Sequence, residues 1–218
     1  MIAPKKIYRS KRKTLSIKID GDGNLLVYAP EKLSEERIFA FINEKQGWII
    51  KNVEKIKNAK SEFSPLKLTD GEIIPYYSGN LTVKNVCGER TKIKSGVLYV
   101  GKNDTEGFKR FIKRDFKKYI CARVKYIASI MNANYISVSL KFSKTRWGSC
   151  GAANTLNFSA YMAFVPTYLT DYVIVHELAH TYHKNHGAKF WKLVEKYMPD
   201  YMERRKELKN YNGINRII

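Results

Sequence analysis

Hydrophobic spacing divides the chain into stretches of different period. Residues 14–19 (TLSIKI) alternate polar and apolar, and 25–29 (LLVYA) form a second short apolar run, the pattern of half-buried strands. Between them Asp20-Gly21-Asp22-Gly23-Asn24 reads as a hairpin loop. From Ser34 to about Lys60 the period becomes helical: Ile38, Ile42, Ile49, Val53 and Ile56 share one stripe, which Phe41 and Trp48 widen. Ser34 suits the N-cap, Glu35 and Glu36 suit the first turn, and Gly47 is a point where the stretch divides into two helices. Residues 61–101 return to short runs such as LTVKNV and VLYV, broken by Asp70-Gly71, Ser78-Gly79-Asn80, Cys87-Gly88 and Ser95-Gly96, and predict a small sheet.

A long helix is expected from about Thr105 to Met131, with Ile112, Phe116, Ile120, Val124, Ile127 and Met131 on its apolar stripe. Two strands follow, ISVSLKF (136–142) and a second near Leu156 to Phe164, read as a hairpin with Arg146-Trp147-Gly148-Ser149-Cys150 between them. Pro166 suits the first turn of the next helix. In that helix Tyr168, Leu169, Tyr172, Val173, Ile174, Val175, Leu178 and Ala179 cover most of the surface, so it is expected to be buried. Phe190, Trp191, Val194 and Tyr197 predict an amphipathic helix stopped by Pro199, and the charged tail from Tyr201 is expected to be helical. The expected seam is Gly101 to Gly107. It separates a smaller mixed β/α region, residues 1–101, from an α+β region, residues 102–218.

Composition narrows the partners. No apolar run approaches membrane-spanning length, and MIAPKKIYRSKRK lacks the apolar stretch of a signal peptide. Cys87, Cys121 and Cys150 are odd in number and form no C-x-x-C pair, so the expectation is a cytoplasmic protein with free thiols. The net charge is +20, from 40 basic and 20 acidic residues, spread over both halves. That charge admits a nucleic-acid or nucleotide partner. Its densest local cluster is Lys109, Arg110, Lys113, Arg114, Lys117 and Lys118 on one helix, which also fits a solvated face. The Asp20 loop places Asp20, Asp22, Asn24 and Glu31 at calcium-loop positions, but Leu25 stands where that loop needs glycine. The hairpin reading is therefore preferred.

The candidate chemistry lies in residues 171–191, DYVIVHELAHTYHKNHGAKFW, which hold all four histidines. HELAH puts His176 and His180 one helical turn apart on one face, able to share a metal, with Glu177 placed to hold a water beside it. A catalytic zinc usually has three protein ligands. His186 is the best third, provided that the helix ends before it, and Asn185 and Gly187 suit such an end because both tolerate left-handed backbone. His183 would lie about 10 Å along the axis from His176, too far to share an ion. Glu195 and Glu203 are the alternative third ligands, each from a following helix. Between Arg146 and Lys184 there is no lysine or arginine and the only acids are Asp171 and Glu177, so a buried glutamate with two histidines needs partners that a metal supplies.

These residues resemble the YgjP-like family of metal-dependent hydrolases, in the wider zincin group near the SprT/Spartan-like proteases. The resemblance rests on RWGSC, then a strand with Leu156 and Asn157, then DYVIVHELAH, then Asn185-His186-Gly187 and Phe190-Trp191. It extends to Ser10-Lys11-Arg12, the Asp-Gly pairs, Ala29-Pro30 and Gly47-Trp48-Ile49, and so covers most of the chain. It implies a zincin-like C-terminal region with the HExxH helix behind a β-hairpin, zinc on His176, His180 and His186, and Glu177 as general base. The HExxHxxxxxH spacing is also that of metzincins, but His183 replaces their motif glycine, which argues against that group. In the family, serine is frequent where Gly187 stands.

The expected activity is zinc-dependent hydrolysis of a protein or peptide. Metal-dependent nucleotide pyrophosphatase chemistry is the rival, and no P-loop or dense carboxylate cluster for magnesium supports it. A nucleic-acid-associated protein with a structural zinc is a third reading, opposed by Glu177 beside the metal and by the lack of a fourth protein ligand. Arg146 is the candidate oxyanion stabiliser, because the RWGSC segment should lie near the helix.

Overall fold

The computed structural model describes residues 2–218, and the side chains of all of these except 55–62. Ile56, expected on the apolar stripe, therefore lies outside the described side chains. The chain divides into two compact units, Met1–Ser64 and Pro65–Ile218.

In the first unit, strands β1 (Lys6–Ser10), β2 (Ser16–Ile19) and β3 (Leu25–Pro30) precede helices α1 (Glu35–Glu44) and α2 (Gln46–Glu62). β3 is central, parallel to β1 and antiparallel to β2. Leu25, Val27 and Ala29 alternate along β3 onto one face and bury against Ile38, Ile42 and Ile49 of the helices. The Asp20 carboxylate accepts hydrogen bonds from the backbone N–H groups of Asp22 (2.8 Å) and Asn24 (2.9 Å) and from the Asn24 amide. That acid closes the β2–β3 hairpin, as the turn reading expects.

The second unit opens with a mixed four-stranded sheet of β4 (Ile73–Ile74), β5 (Leu81–Asn85), β6 (Lys92–Lys94) and β7 (Val97–Val100), in the order β4-β5-β7-β6. Helix α3 (Thr105–Met131) starts at Asp104, whose carboxylate accepts from Gly107 N–H at 2.8 Å, and ends at Asn132 in left-handed backbone, φ 52°. Ile112, Phe116, Ile120, Val124, Ile127 and Met131 are all buried, as their spacing predicts. Then come β8 (Ser137–Lys141), β9 (Gly148–Cys150), β10 (Thr155–Ser159), a 3-10 turn (Ala160–Phe164), and helices α4 (Thr167–Ala179), α5 (Ala188–Tyr197) and α6 (Tyr201–Leu208). Six α-helices and three small mixed sheets among the described residues make the chain α+β. None of these helices is long and apolar enough to cross a membrane. Cys87, Cys121 and Cys150 are free thiols.

Two sequence expectations change. The strands at 136–142 and 156–164 do not form a hairpin with each other: β8 and β10 run parallel. Gly148–Cys150 of RWGSC is itself a strand, antiparallel to β10, and the tight turn Gly151–Asn154 joins the pair, with Asn154 at φ 56°. The apolar run beyond Ser159 leaves the sheet as a buried 3-10 turn. The compact units also divide at Ser64/Pro65, so the Gly101–Gly107 stretch falls inside the second. Hydrogen bonds account for this. Leu66 N–H donates to Ile217 O, Tyr77 N–H donates to Ala163 O, and the hydroxyls of Tyr76 and Tyr77 both donate to Asp115 on α3 at 3.0 Å.

Helix α4 carries His176 and Glu177, is capped by His180, and is the hub of this unit, packed against α3, α5, α6 and β9. A bidentate pair ties its first half to α3, with Arg123 donating to both oxygens of Asp171 at 2.7 Å.

Candidate metal centre

The site depends on where α4 stops. The helix ends at Ala179, with His180 as its C-cap, and the chain turns at once: Thr181 N–H donates to Leu178 O, and His183 N–H donates to Ala179 O. Asn185 and Gly187 do not supply the expected left-handed stop, since neither has positive φ. Gly187 is extended (φ −73°, ψ 179°) and caps the start of α5 instead. The segment between His180 and His186 is fastened on both sides. The Tyr182 hydroxyl donates to the last carbonyls of α3, Met131 (3.0 Å) and Asn132. The Lys184 ammonium donates to Asn154 Oδ1 (2.6 Å) and Gly151 O (3.0 Å) in the β9–β10 turn.

This path brings His186 back to the helix. One ligand atom from each of His176, His180 and His186 lies within 4.8 Å of the other two, and the Nε2 atoms of His176 and His186 are 3.0 Å apart. Two nitrogens each about 2 Å from a tetrahedral ion would be separated by about 3.3 Å. The spacing thus suits a shared ion, and without one it also suits a hydrogen bond between the rings. His180 Nδ1 lies 2.9 Å from the backbone carbonyl of His183. A carbonyl only accepts, so Nδ1 carries the proton and Nε2 keeps its lone pair for a ligand. His183 therefore contributes its backbone and not its ring. Burial, reinforced by His180 and His186, holds His176 well below the usual imidazole range, at about 3. Burial also lowers His180. Neutral imidazole is the form that binds metal. His176 Nδ1 is buried without a protein partner. Phe190 of α5, itself fully buried, lies under all three rings, with centroids 4.5 to 4.9 Å away, and Trp191 stacks on His186 at 5.6 Å. Glu195 and Glu203 are exposed and stand outside this cluster. The donor set fits a borderline-soft divalent ion such as zinc.

Glu177, on the same helix, is only 5% exposed. Burial pushes its carboxyl up to about 8, against the opposing pull of the Arg146 charge. It lies against Gly148: a Cβ at that position would come within 2.6 Å of Glu177 Cγ and Oε1. Glu177 and His176 border a cavity of about 290 Å³ with Trp147, Tyr172 and Arg205. Arg146 is exposed and lines two adjoining cavities across Trp147 rather than this one. Its charge reaches Glu177, but it does not share the wall. The sequence reading had no role for Gly148, Tyr172, Phe190, Arg205 or the His183 carbonyl. Helical spacing marks Tyr172, one turn before His176. Gly148 and Phe190 lie in the RWGSC and Phe190-Trp191 motifs without a role being legible there, and nothing in the pattern marks Arg205 or the His183 carbonyl.

No curated protein matches the sequence. Among solved structures the chain is similar to the metallopeptidase zymogen jannalysin of Methanocaldococcus jannaschii, with 28% identity, covering 41% of this chain and 92% of that one at a TM-score of 0.38. It is also similar to the metallopeptidase zymogen abylysin of Pyrococcus abyssi, with 19% identity, 41% and 90% covered, and a TM-score of 0.38. The family model of the YgjP-like metallopeptidase domain matches residues 13–211, nearly the whole chain, and the protein belongs to the YgjP-like family.

Proposed function

We propose that the protein is a zinc-dependent peptidase with a zincin-like site, in which His176, His180 and His186 hold the metal and Glu177 is the general base. The observation that carries this reading is the convergence of three imidazoles beside a buried carboxyl, with His176 and Glu177 lining an open cavity. In this reading α4 is the HExxH helix and the β9–β10 hairpin is the edge beside it.

Bound zinc supplies Lewis acidity, which polarises a substrate carbonyl and acidifies a water. The chain supplies proton transfer and positioning. Glu177 takes a proton from the attacking water and returns it to the leaving amine. Burial favours its protonated form, and a cation in the histidine cluster together with Arg146 favours the carboxylate that can accept a proton. Gly148 leaves room for the carboxyl to stay beside the cluster. Arg146, which does not line this cavity, is assigned only a long-range role, its charge favouring the negative charge that develops beside Glu177. Free thiols suit a reducing compartment, the cytoplasm. The basic face of α3 is read as solvated: Lys109 pairs with Glu106 at 2.9 Å, and Arg114 lies over Phe111.

The test combines metal analysis with hydrolysis assays. Protein purified without chelator or affinity tag should carry stoichiometric zinc and cleave peptides. Glu177→Gln should keep the zinc and lose activity by about 10²- to 10⁴-fold. A folded wild type that takes up no zinc overturns the site, and cleavage of nucleoside triphosphates but not peptides replaces the peptidase with a pyrophosphatase.

A further inference from the structure

The cavity beside Glu177 has an unusual charge distribution. Helix α6 and the 3-10 turn after it, Lys209–Tyr211, present Arg205, Leu208, Lys209 and Asn212 to it. Arg205 and Lys209 are four residues apart, so they sit about 6 Å from one another along the axis and on the same face. Arg204 and Glu207 of this helix are engaged elsewhere. Arg204 donates to Asp200 at 2.8 Å and to Tyr168 O, and Glu207 accepts from the Tyr168 hydroxyl. Among the described residues neither Arg205 nor Lys209 has a carboxylate partner. Among the described residues the only acid that borders the cavity is Glu177. The Arg205 guanidinium rests 4.8 Å over the Trp191 ring, which leaves its hydrogen-bonding edge free for another group. Trp147, Tyr172 and Leu208 complete an otherwise apolar wall.

Two cations without a carboxylate partner, in a partly apolar cavity that His176 and Glu177 also line, match a ligand with a single anionic group close to the reacting bond. We propose that this cavity is a subsite for a carboxylate of the peptide substrate, held by Arg205 and Lys209 while the neighbouring amide lies at Glu177 and His176. The inference rests on the peptidase reading and deepens it. An aspartate or glutamate side chain next to the cleaved bond and a free C-terminal carboxylate offer the same chemistry. Asn212 adds an amide that can bond to either.

The experiment uses the full-length, zinc-loaded Glu177→Gln protein and three fluorescent peptides with a common neutral core. One has an internal glutamate and an amidated end, one a free C-terminal carboxylate, and one neither charge. Fluorescence anisotropy should show one of the two carboxylate peptides bound about tenfold more tightly than the uncharged one. Whichever it is identifies the source. Arg205→Glu, and separately Lys209→Glu, should abolish the difference while leaving zinc content and thermal unfolding unchanged. Equal binding of all three peptides, no binding of any, or indifference to both charge reversals overturns the subsite. So does a nucleoside triphosphate that binds through Arg205 where no carboxylate peptide does. Digestion of a mixed peptide pool by the wild-type protein separates the two readings: cleavage without acidic preference overturns only the subsite, whereas no cleavage overturns the peptidase itself.

Discussion

Gly148 and Glu177 occupy each other's space. The buried carboxyl on α4 fills the volume that any side chain on β9 would need, because a Cβ on Gly148 would approach Glu177 Cγ and Oε1 to 2.6 Å. This glycine is not required by a positive φ, so its role is to admit the glutamate. Gly148→Ala should therefore push Glu177 out of position. The expected outcome is a stability loss of about 1–3 kcal/mol from overpacking, with a larger fall in kcat than in zinc content. Thermal unfolding, metal analysis and peptide hydrolysis measured on one preparation check it, and an unchanged kcat would place Glu177 outside the chemistry.

The third ligand separates rings from backbone. His183 touches the centre only through its carbonyl, at 2.9 Å from His180 Nδ1, whereas the His186 ring reaches His176 at 3.0 Å. His183→Ala should retain zinc, and so should Glu195→Gln and Glu203→Gln. His186→Ala should lose it. Metal content after dialysis is the readout, and zinc lost from either glutamate variant but kept in His186→Ala would reverse the assignment.

Phe190 supports all three imidazoles from below and is fully buried. Phe190→Ala should cost about 3–5 kcal/mol and leave the rings unsupported. Phe190→Leu keeps most of the volume, so it should stay folded but bind zinc more weakly. Competition against a chromophoric chelator measures that difference.

Alkaline stability has a definite sign. Tyr76 and Tyr77 share Asp115, and burial, then that carboxylate, raises both phenols well above the ordinary value of 10.0. A raised folded-state pKa means that the native state keeps protons which the unfolded chain releases. The stabilisation is therefore complete below pH 10.0 and is lost as pH rises above it. Melting temperature followed by circular dichroism from pH 8 to 11 should fall above about 10, and less steeply in Tyr76→Phe, which has no phenol to ionise.

What the sequence displayed was periodicity and local chemistry. The α3 stripe, the buried α4 and the HELAH pair follow from spacing, because helix geometry alone puts Ile112 with Phe116 and His176 with His180. The β2–β3 hairpin follows from its Asp-Gly turn. Long-range pairing was not legible. RWGSC has too few residues to show an alternation, so the pattern displays neither β9 nor the parallel sense of β8 and β10. The boundary between the units was hidden for a related reason. It depends on hydrogen bonds from Leu66 and Tyr77 to residues far along the chain. At the site, the need for a turn before His186 could be deduced, but not its mechanism, since Tyr182 and Lys184 act through contacts with α3 and the β9–β10 turn.

Those two anchors bear on how tightly an ion can be held. Ordering a backbone residue costs roughly 1–2 kcal/mol, so five loose residues between His180 and His186 would take several kcal/mol out of metal affinity. With Tyr182 bonded to the end of α3 and Lys184 bonded to the hairpin turn, that ordering is completed when the domain folds. The ion then meets three imidazoles already in place, and its affinity carries little entropic penalty from the loop. Removing it should leave a folded protein with an intact melting transition, unlike small zinc domains that unfold without their metal.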